Sequence, residues 1–239
     1  MASVALFDPC YMAALNPGDA DNARRILEAL GDEVTLIDGR CCGQPAFNSG
    51  YRGEARTVGR ELLRAAQPHA TIVVPSGSCG SMIAHFLPTL FAGERRLGAQ
   101  SIANRFVSFA SYVLHHPNSG NLGLKLAGVV AYHDACHGRR ELALTADILA
   151  LLGRVEGLEV RRLAFEEECC GFGGTFSVKL PEISVAMMTA KLNDVAATGA
   201  KVLVSGDFSC LAHLDAGARG VGLKLESWTL PELLVRALS

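Results

Sequence analysis

The eight cysteines of this 239-residue chain fall at 10, 41, 42 and 79, and again at 136, 169, 170 and 210. Set against each other, the two groups are offset by 126, 128, 128 and 131, so one pattern recurs with a drift of five residues. The neighbouring residues recur as well. Asp8-Pro9-Cys10 matches Asp134-Ala135-Cys136, Cys41-Cys42-Gly43 matches Cys169-Cys170-Gly171, and Ser78-Cys79 matches Ser209-Cys210. Chance supplies one doublet readily, but not the whole arrangement twice with no cysteine left over. The chain is read as an internal duplication, each half long enough for a small domain of about 120 residues.

The hydrophobic pattern repeats in step. In the first half, strands are expected at 4–7, 33–37 and 70–74, alternating with helices at 21–30, 53–66 and 81–90. The second half gives strands at 128–132, 159–164 and 201–204, and helices at 142–152, 183–198 and 211–218. A last helix at 230–238 is introduced by Pro231, and Pro117 to Gly123 reads as the linker. Short apolar strands alternating with amphipathic helices imply an α/β fold with parallel sheets. The expectation is two tandem duplicated parallel-sheet units, 1–117 and 124–239, related by pseudo-two-fold symmetry. In each unit one cysteine follows the first strand, the doublet follows the second and the last cysteine follows the third. Loops at the carboxyl ends of parallel strands share one edge of the sheet, so four thiols converge there without being close in sequence.

Composition narrows the function. Lys+Arg total 22 against Asp+Glu 24 with no basic run, which argues against a nucleic-acid partner. No apolar stretch reaches the length of a membrane span, and Met1–Pro9 lacks a basic start, so a cytoplasmic protein is expected. In a reducing compartment eight cysteines are not a disulfide framework, and 49% apolar residues make a core that needs none. A four-thiol zinc site usually draws on C-x₂₋₄-C knuckles, and neither half has one. Adjacent cysteines point apart and suit a larger object, with Gly43, Gly171, Gly173 and Gly174 letting backbone N–H groups approach it. An iron–sulfur cluster is the leading reading, with zinc or redox-active vicinal thiols as the alternatives. There is no phosphate-binding loop and no G-x-G-x-x-G fingerprint, hence no flavin or NAD site.

Three segments carry a family likeness: Cys41-Cys42-Gly43-Gln44-Pro45-Ala46-Phe47-Asn48-Ser49-Gly50, Pro75-Ser76-Gly77-Ser78-Cys79, and Cys169 to Lys179. Together they resemble the cysteine-rich CCG-domain proteins over nearly the whole chain. Within that family the likeness is strongest to the small iron–sulfur member of a three-protein L-lactate oxidation system. The resemblance implies two tandem CCG domains and a cluster, most simply [4Fe–4S], held by Cys10, Cys41, Cys42 and Cys79 and by Cys136, Cys169, Cys170 and Cys210. It further implies an electron-transfer subunit for oxidising L-lactate, a small hydroxyacid, to pyruvate. The partners would be a ferredoxin-like iron–sulfur protein and a third lactate-utilisation protein, and the chain would be inactive alone. Alternatives are a thiol/disulfide redox subunit like that of heterodisulfide reductase, or a zinc-stabilised binding module. One departure stands out: the broader family ends each repeat in C-x-x-C, whereas this chain has Met82 and His213 at the last position.

Four polar residues beside Cys136 complete the candidates. His133 and His137 are read either as proton shuttles for a two-electron oxidation or as hydrogen-bonded loop histidines. Arg139 and Arg140 are read as binding a substrate carboxylate or a partner's acidic rim, or as an ordinary solvated helix start. Asp8 and Asp134 are read as structural. The second doublet, with glycines 171, 173 and 174, is expected to wrap a cluster more closely than the first, where Pro45 removes an N–H donor.

Overall fold

A computed structural model describes residues 3–238. The first half runs β1 (Ser3–Pro9), α1 (Cys10–Leu15), α2 (Gly18–Ala29), β2 (Glu33–Arg40), α3 (Gln44–Asn48), α4 (Arg52–Ala66), β3 (Ile72–Val74), α5 (Gly77–Ser81), α6 (Gly93–Ala103), β4 (Phe106–Ser108) and α7 (Phe109–His115). The second runs β5 (Lys125–His133), α8 (Cys136–Arg140), α9 (Thr145–Leu152), β6 (Glu156–Arg162), α10 (Thr175–Lys179), α11 (Pro181–Ala197), β7 (Val202–Ser205), α12 (Phe208–Gly220), β8 (Glu226–Thr229) and α13 (Leu230–Ala237).

All strand pairs are parallel, in two four-stranded sheets ordered β2-β1-β3-β4 and β6-β5-β7-β8. The central strands β1 and β5 are apolar on both faces where they are covered, with Val4 to Phe7 and Val130 to Tyr132 buried, as a strand flanked by helices on both sides requires. Each chain half turns back across its first strand between the second and third. The topological switch therefore lies between β1 and β3, and between β5 and β7, where ligands sit in such sheets.

Alternate side chains on the central strands serve different cores. Val4 and Leu6, with Val130 and Tyr132, enter one core shared by both halves, which also takes Ile26, Phe109, Ile148 and Leu233. Ala5 and Phe7 face a separate core beneath α4, and Ala131 faces another beneath α11. In the shared layer α2 packs on α13 and α7 on α9, while near the cysteines α5 packs on α8 and α1 on α12. Each pair is the exchange of equivalent elements, which is what a pseudo-two-fold axis between duplicated halves produces. Gly77 lies where the halves meet: its N–H donates to the Gly206 carbonyl at 3.2 Å, and a Cβ there would stand 3.1 Å from Gly138 Cα.

The sequence reading and the structure differ in places. The strands β4 and β8 and the helices α1, α3, α6, α7, α8 and α10 go beyond the expected elements. β4 has only three residues, and β8 (Glu226-Ser227-Trp228-Thr229) is mostly polar, so neither carries an apolar run. The helix expected at 81–90 is α-helical only to Ser81. It continues as a π turn over Met82–Phe86 and a 3-10 turn over Leu87–Leu90, where Pro88 has no N–H to give. The segment read as a linker is packed down: Ser119 is buried and accepts a hydrogen bond from Arg154.

Candidate metal centre

In each half the four thiols meet at the carboxyl edge of the sheet. Cys10 and Cys136 open α1 and α8 directly after the central strands, and the doublets follow β2 and β6. Cys79 and Cys210 lie in the first turn of α5 and α12. The doublet turn is fixed by its glycine. Gly43 and Gly171 have φ of +88° and +91°, a region costly for any side chain. Their N–H groups donate to Cys41 Sγ at 3.3 Å and Cys169 Sγ at 3.4 Å. A Cβ at Gly171 would stand 2.5 Å from the Ser184 carbonyl oxygen, and one at Gly43 would stand 3.1 Å from that of Ala55. The turns are thus pressed against α4 and α11, the long helices that cover the two sheets.

The thiols of each set interact, and in both sets the first thiol of the doublet is the one whose pKa is lowered. Cys41 receives hydrogen bonds from Cys10, from Cys42 and from the Gly43 N–H, and its pKa falls well below the usual thiol value. Cys10 and Cys42 are pushed up, chiefly because they donate to Cys41, with burial adding to it. In the second half Cys169 is lowered by Cys136 and Cys170, and those two are raised in turn. Cys210 is lowered by its bond from Cys170 but raised overall by burial and by the neighbouring Asp207 carboxylate. The first thiol of each doublet is therefore the one whose thiolate form is favoured, and the thiolate is the form that binds metal.

The two sets face each other. The pocket of Cys10, Cys41, Cys42 and Cys79 is completed from the other half by Phe172, Gly174, Phe208 and Ser209. That of Cys136, Cys169, Cys170 and Cys210 is completed by Gln44, Asn48 and Ser78. Tyr11 closes the seam, its ring 5.4 Å from Phe172 and 5.9 Å from Phe208. Ser49 Oγ donates to Thr175 Oγ1 across it at 3.0 Å.

The other sequence candidates take varied places. His133 is fully buried on the face of β5 toward the second set, and burial lowers its pKa to about 4. His137 lines the second pocket, with Nδ1 3.2 Å from Glu141 Oε2. Arg139 bonds the Glu167 carbonyl at 3.0 Å and pairs with its carboxylate, and Arg140 reaches the same carbonyl at 3.4 Å. The described lining of the two cysteine pockets includes neither arginine. His213 Nε2 lies 3.4 Å from Ser184 Oγ, its ring against Phe172. Met82 is fully buried in the first half's own core. Asp134 accepts from Tyr132 and Thr145 and acts structurally.

Two residues escaped the sequence reading. Asp207, 1% exposed, accepts hydrogen bonds from Ser76 and Ser78 of the first half and Ser209 of the second. Its counterpart under the repeat offset is Ser76, so aligning past the cysteines would have marked it as the odd member of a pair. Lys191, 1% exposed, donates to the Phe165 carbonyl beneath the second doublet. Nothing in its sequence surroundings separates it from the surface lysines.

The family model of a cysteine-rich domain, CCG, matches residues 4–84 and again 130–215. The chain belongs to the CCG family. Both matched stretches of this CCG chain include all four cysteines of their half. It is 32% identical to Lactate utilization protein A 2 of Bacillus cereus (strain Q1), over 99% of each chain. With Lactate utilization protein A of Macrococcus caseolyticus it shares 36% identity, over 97% of this chain and 95% of that one. Its fold is similar to a crystal structure of a hypothetical protein from Helicobacter pylori, with a TM-score of 0.64 at 10% identity. That match covers 99% of this chain and half of the other, and it is a likeness of fold alone.

Proposed function

We propose that the chain is the iron–sulfur subunit of a system that oxidises L-lactate to pyruvate, with its two CCG repeats, 1–117 and 124–239, holding [4Fe–4S] clusters on the eight cysteines. The observation that carries this reading is the pair of four-thiol sets facing each other across one seam. When bound, such clusters supply one-electron transfer, and two of them match the two electrons released by a hydroxyacid. The thiols fit the group: each set has four, one with its pKa lowered, beside a glycine turn with its N–H aimed at sulfur. The relatives named for lactate utilization support the substrate. The bond-breaking oxidation belongs to partners, a ferredoxin-like iron–sulfur protein and a third protein of the system. His137, in the second pocket beside Glu141, handles protons there, and the exposed Arg140 with Arg139 marks a rim for an acidic partner.

The facing arrangement also favours a second reading, a thiol/disulfide redox subunit with its substrate between the two sets. One set of experiments separates the two readings from a zinc-stabilised module. The protein is purified without oxygen and assayed for iron, sulfide and zinc, and a strain lacking the gene is grown on L-lactate. Iron with sulfide, a brown colour bleached by dithionite, and growth restored by the wild type but not by Cys169→Ser/Cys170→Ser are expected. Normal growth on L-lactate without the gene would remove the lactate assignment, and stoichiometric zinc without sulfide would remove the cluster.

No helix among the described residues is long and apolar enough to cross a membrane.

A further inference from the structure

His133 is 0% exposed, and no protein group hydrogen-bonds to Nδ1 or Nε2. A buried imidazole with both nitrogens unmatched is expensive, about 1–3 kcal/mol for each polar group left without a partner. Two thiols stand close by: a His133 nitrogen, Cys170 Sγ and Cys210 Sγ all lie within 4.8 Å of one another. Donors sharing one tetrahedral ion stand about 3.5–3.8 Å apart, given metal–sulfur bonds of about 2.3 Å and metal–nitrogen bonds of about 2.0 Å. The trio therefore needs only a small contraction to close on a single ion, and a mixed imidazole–thiolate set suits iron, cobalt or zinc in the divalent state.

The repeat supplies a control within the same chain. His133 precedes Cys136 by three residues, and the residue three before Cys10 is Phe7. Both are fully buried, on the same face of equivalent central strands and toward equivalent thiol sets. The phenylalanine shows that the position packs well without any polar group. The second half has placed a nitrogen donor where the fold does not ask for one.

We propose that His133 is a metal ligand, so that the second set binds its metal ion through nitrogen and sulfur while the first set, with Phe7, binds through sulfur alone. The ion is either a lone divalent metal that all three donors share, or one iron of a cluster that takes His133 in place of a thiolate, since a cluster iron has a single protein ligand. The inference rests on the reading that the second set holds metal, and its test does not depend on lactate oxidation.

The full chain with Cys41→Ser/Cys42→Ser, which silences the first set, is titrated anaerobically with Co²⁺ alone. Tight uptake with tetrahedral ligand-field bands is expected, together with the nitrogen hyperfine coupling of a bound imidazole in pulsed EPR. That coupling changes when histidine is labelled with ¹⁵N. His133→Phe, which copies the first half, removes the coupling and weakens Co²⁺ about 10- to 100-fold or more, the scale on which even outer-shell partners act. His213→Gln keeps it. Since the labelling experiment needs no change at position 133, a folding defect in His133→Phe does not blunt the test. Co²⁺ bound tightly with no nitrogen coupling, or a coupling that vanishes only in His213→Gln, overturns the inference and leaves the cluster reading standing. No tight Co²⁺ uptake together with no iron overturns both.

Discussion

The Asp207 carboxylate, in the second half, accepts a hydrogen bond from the backbone N–H of Ser78, in the first, at 2.6 Å. The Ser76 hydroxyl donates to the same oxygen, Oδ2, at 3.2 Å, while Oδ1 caps α12 through the Ser209 N–H at 3.1 Å. One buried charge thus holds both loops that carry the last cysteine of each set, Cys79 and Cys210. Hydrogen bonds to a charged group contribute about 1.5–3 kcal/mol and a helix cap about 1 kcal/mol. Asp207→Ala is expected to lower stability by about 2–4 kcal/mol in urea unfolding and to reduce iron in both halves. Ser76→Ala removes the cap of α5 and one of the bonds to Asp207 but leaves the carboxylate its two backbone partners, and should cost about 1–2 kcal/mol. Equal effects of the two changes would show that Asp207 is an ordinary cap.

The two doublets are expected to differ in how much metal depends on them. Cys42 is the one buried thiol of the first set, whereas Cys170 and Cys210 are both buried in the second. Cys169→Ser with Cys170→Ser should therefore remove more iron per chain than Cys41→Ser with Cys42→Ser. A larger loss from the first pair would reverse the assignment of the tighter site.

The doublet glycines should rank in the same order. Gly171→Ala forces a Cβ to 2.5 Å from a backbone oxygen, against 3.1 Å for Gly43→Ala, at nearly the same positive φ. Both changes carry the penalty of a left-handed alanine, about 1 kcal/mol, and the first adds a backbone clash. Thermal unfolding of the two variants without metal should show Gly171→Ala the less stable.

Asp19 gives a pH prediction. It is fully buried in the first turn of α2, accepts a hydrogen bond from Thr229 of the other half, and is pushed up to about 6, chiefly by burial. Its folded pKa lies above the unfolded value of 3.8, so between these the folded state binds more protons. Stability from this group is present below pH 3.8 and is lost as pH rises toward 6. Asp19→Asn should match the wild type near pH 4 and exceed it by about 1–2 kcal/mol at pH 7, allowing for the helix N-terminus that favours the charge. Urea unfolding at the two pH values measures this, and an advantage that shrinks with rising pH would contradict it.

Much of this protein was legible because cysteine and glycine are rare enough to carry position. The offsets of Cys10, Cys41, Cys42 and Cys79 to their partners revealed the duplication, and the apolar runs placed β1 and β5 as the first strand of each half, while their central position came from the sheet order. The doublet glycines marked turns that the structure confirms with positive φ. What the pattern left dark were the short polar strand β8 and the turn after Ser81. There, pairing with β7 and the ring of Pro88 outweigh local preference.

Cysteine spacing alone specifies two matched four-cysteine units, because spacing along a chain survives folding and the carboxyl ends of parallel strands share an edge. Only the tertiary structure decided that the two sets face one another. That follows from Val4, Leu6, Val130 and Tyr132 burying one face of both sheets in a common core, a choice made by surfaces distant in sequence. The same is true of Asp207, which bridges the halves, and of His133, whose meaning depends on which face of β5 it occupies and on what lies opposite. A charge or an imidazole reads alike along the chain whether it is solvated or sealed, and burial is what gives it a role.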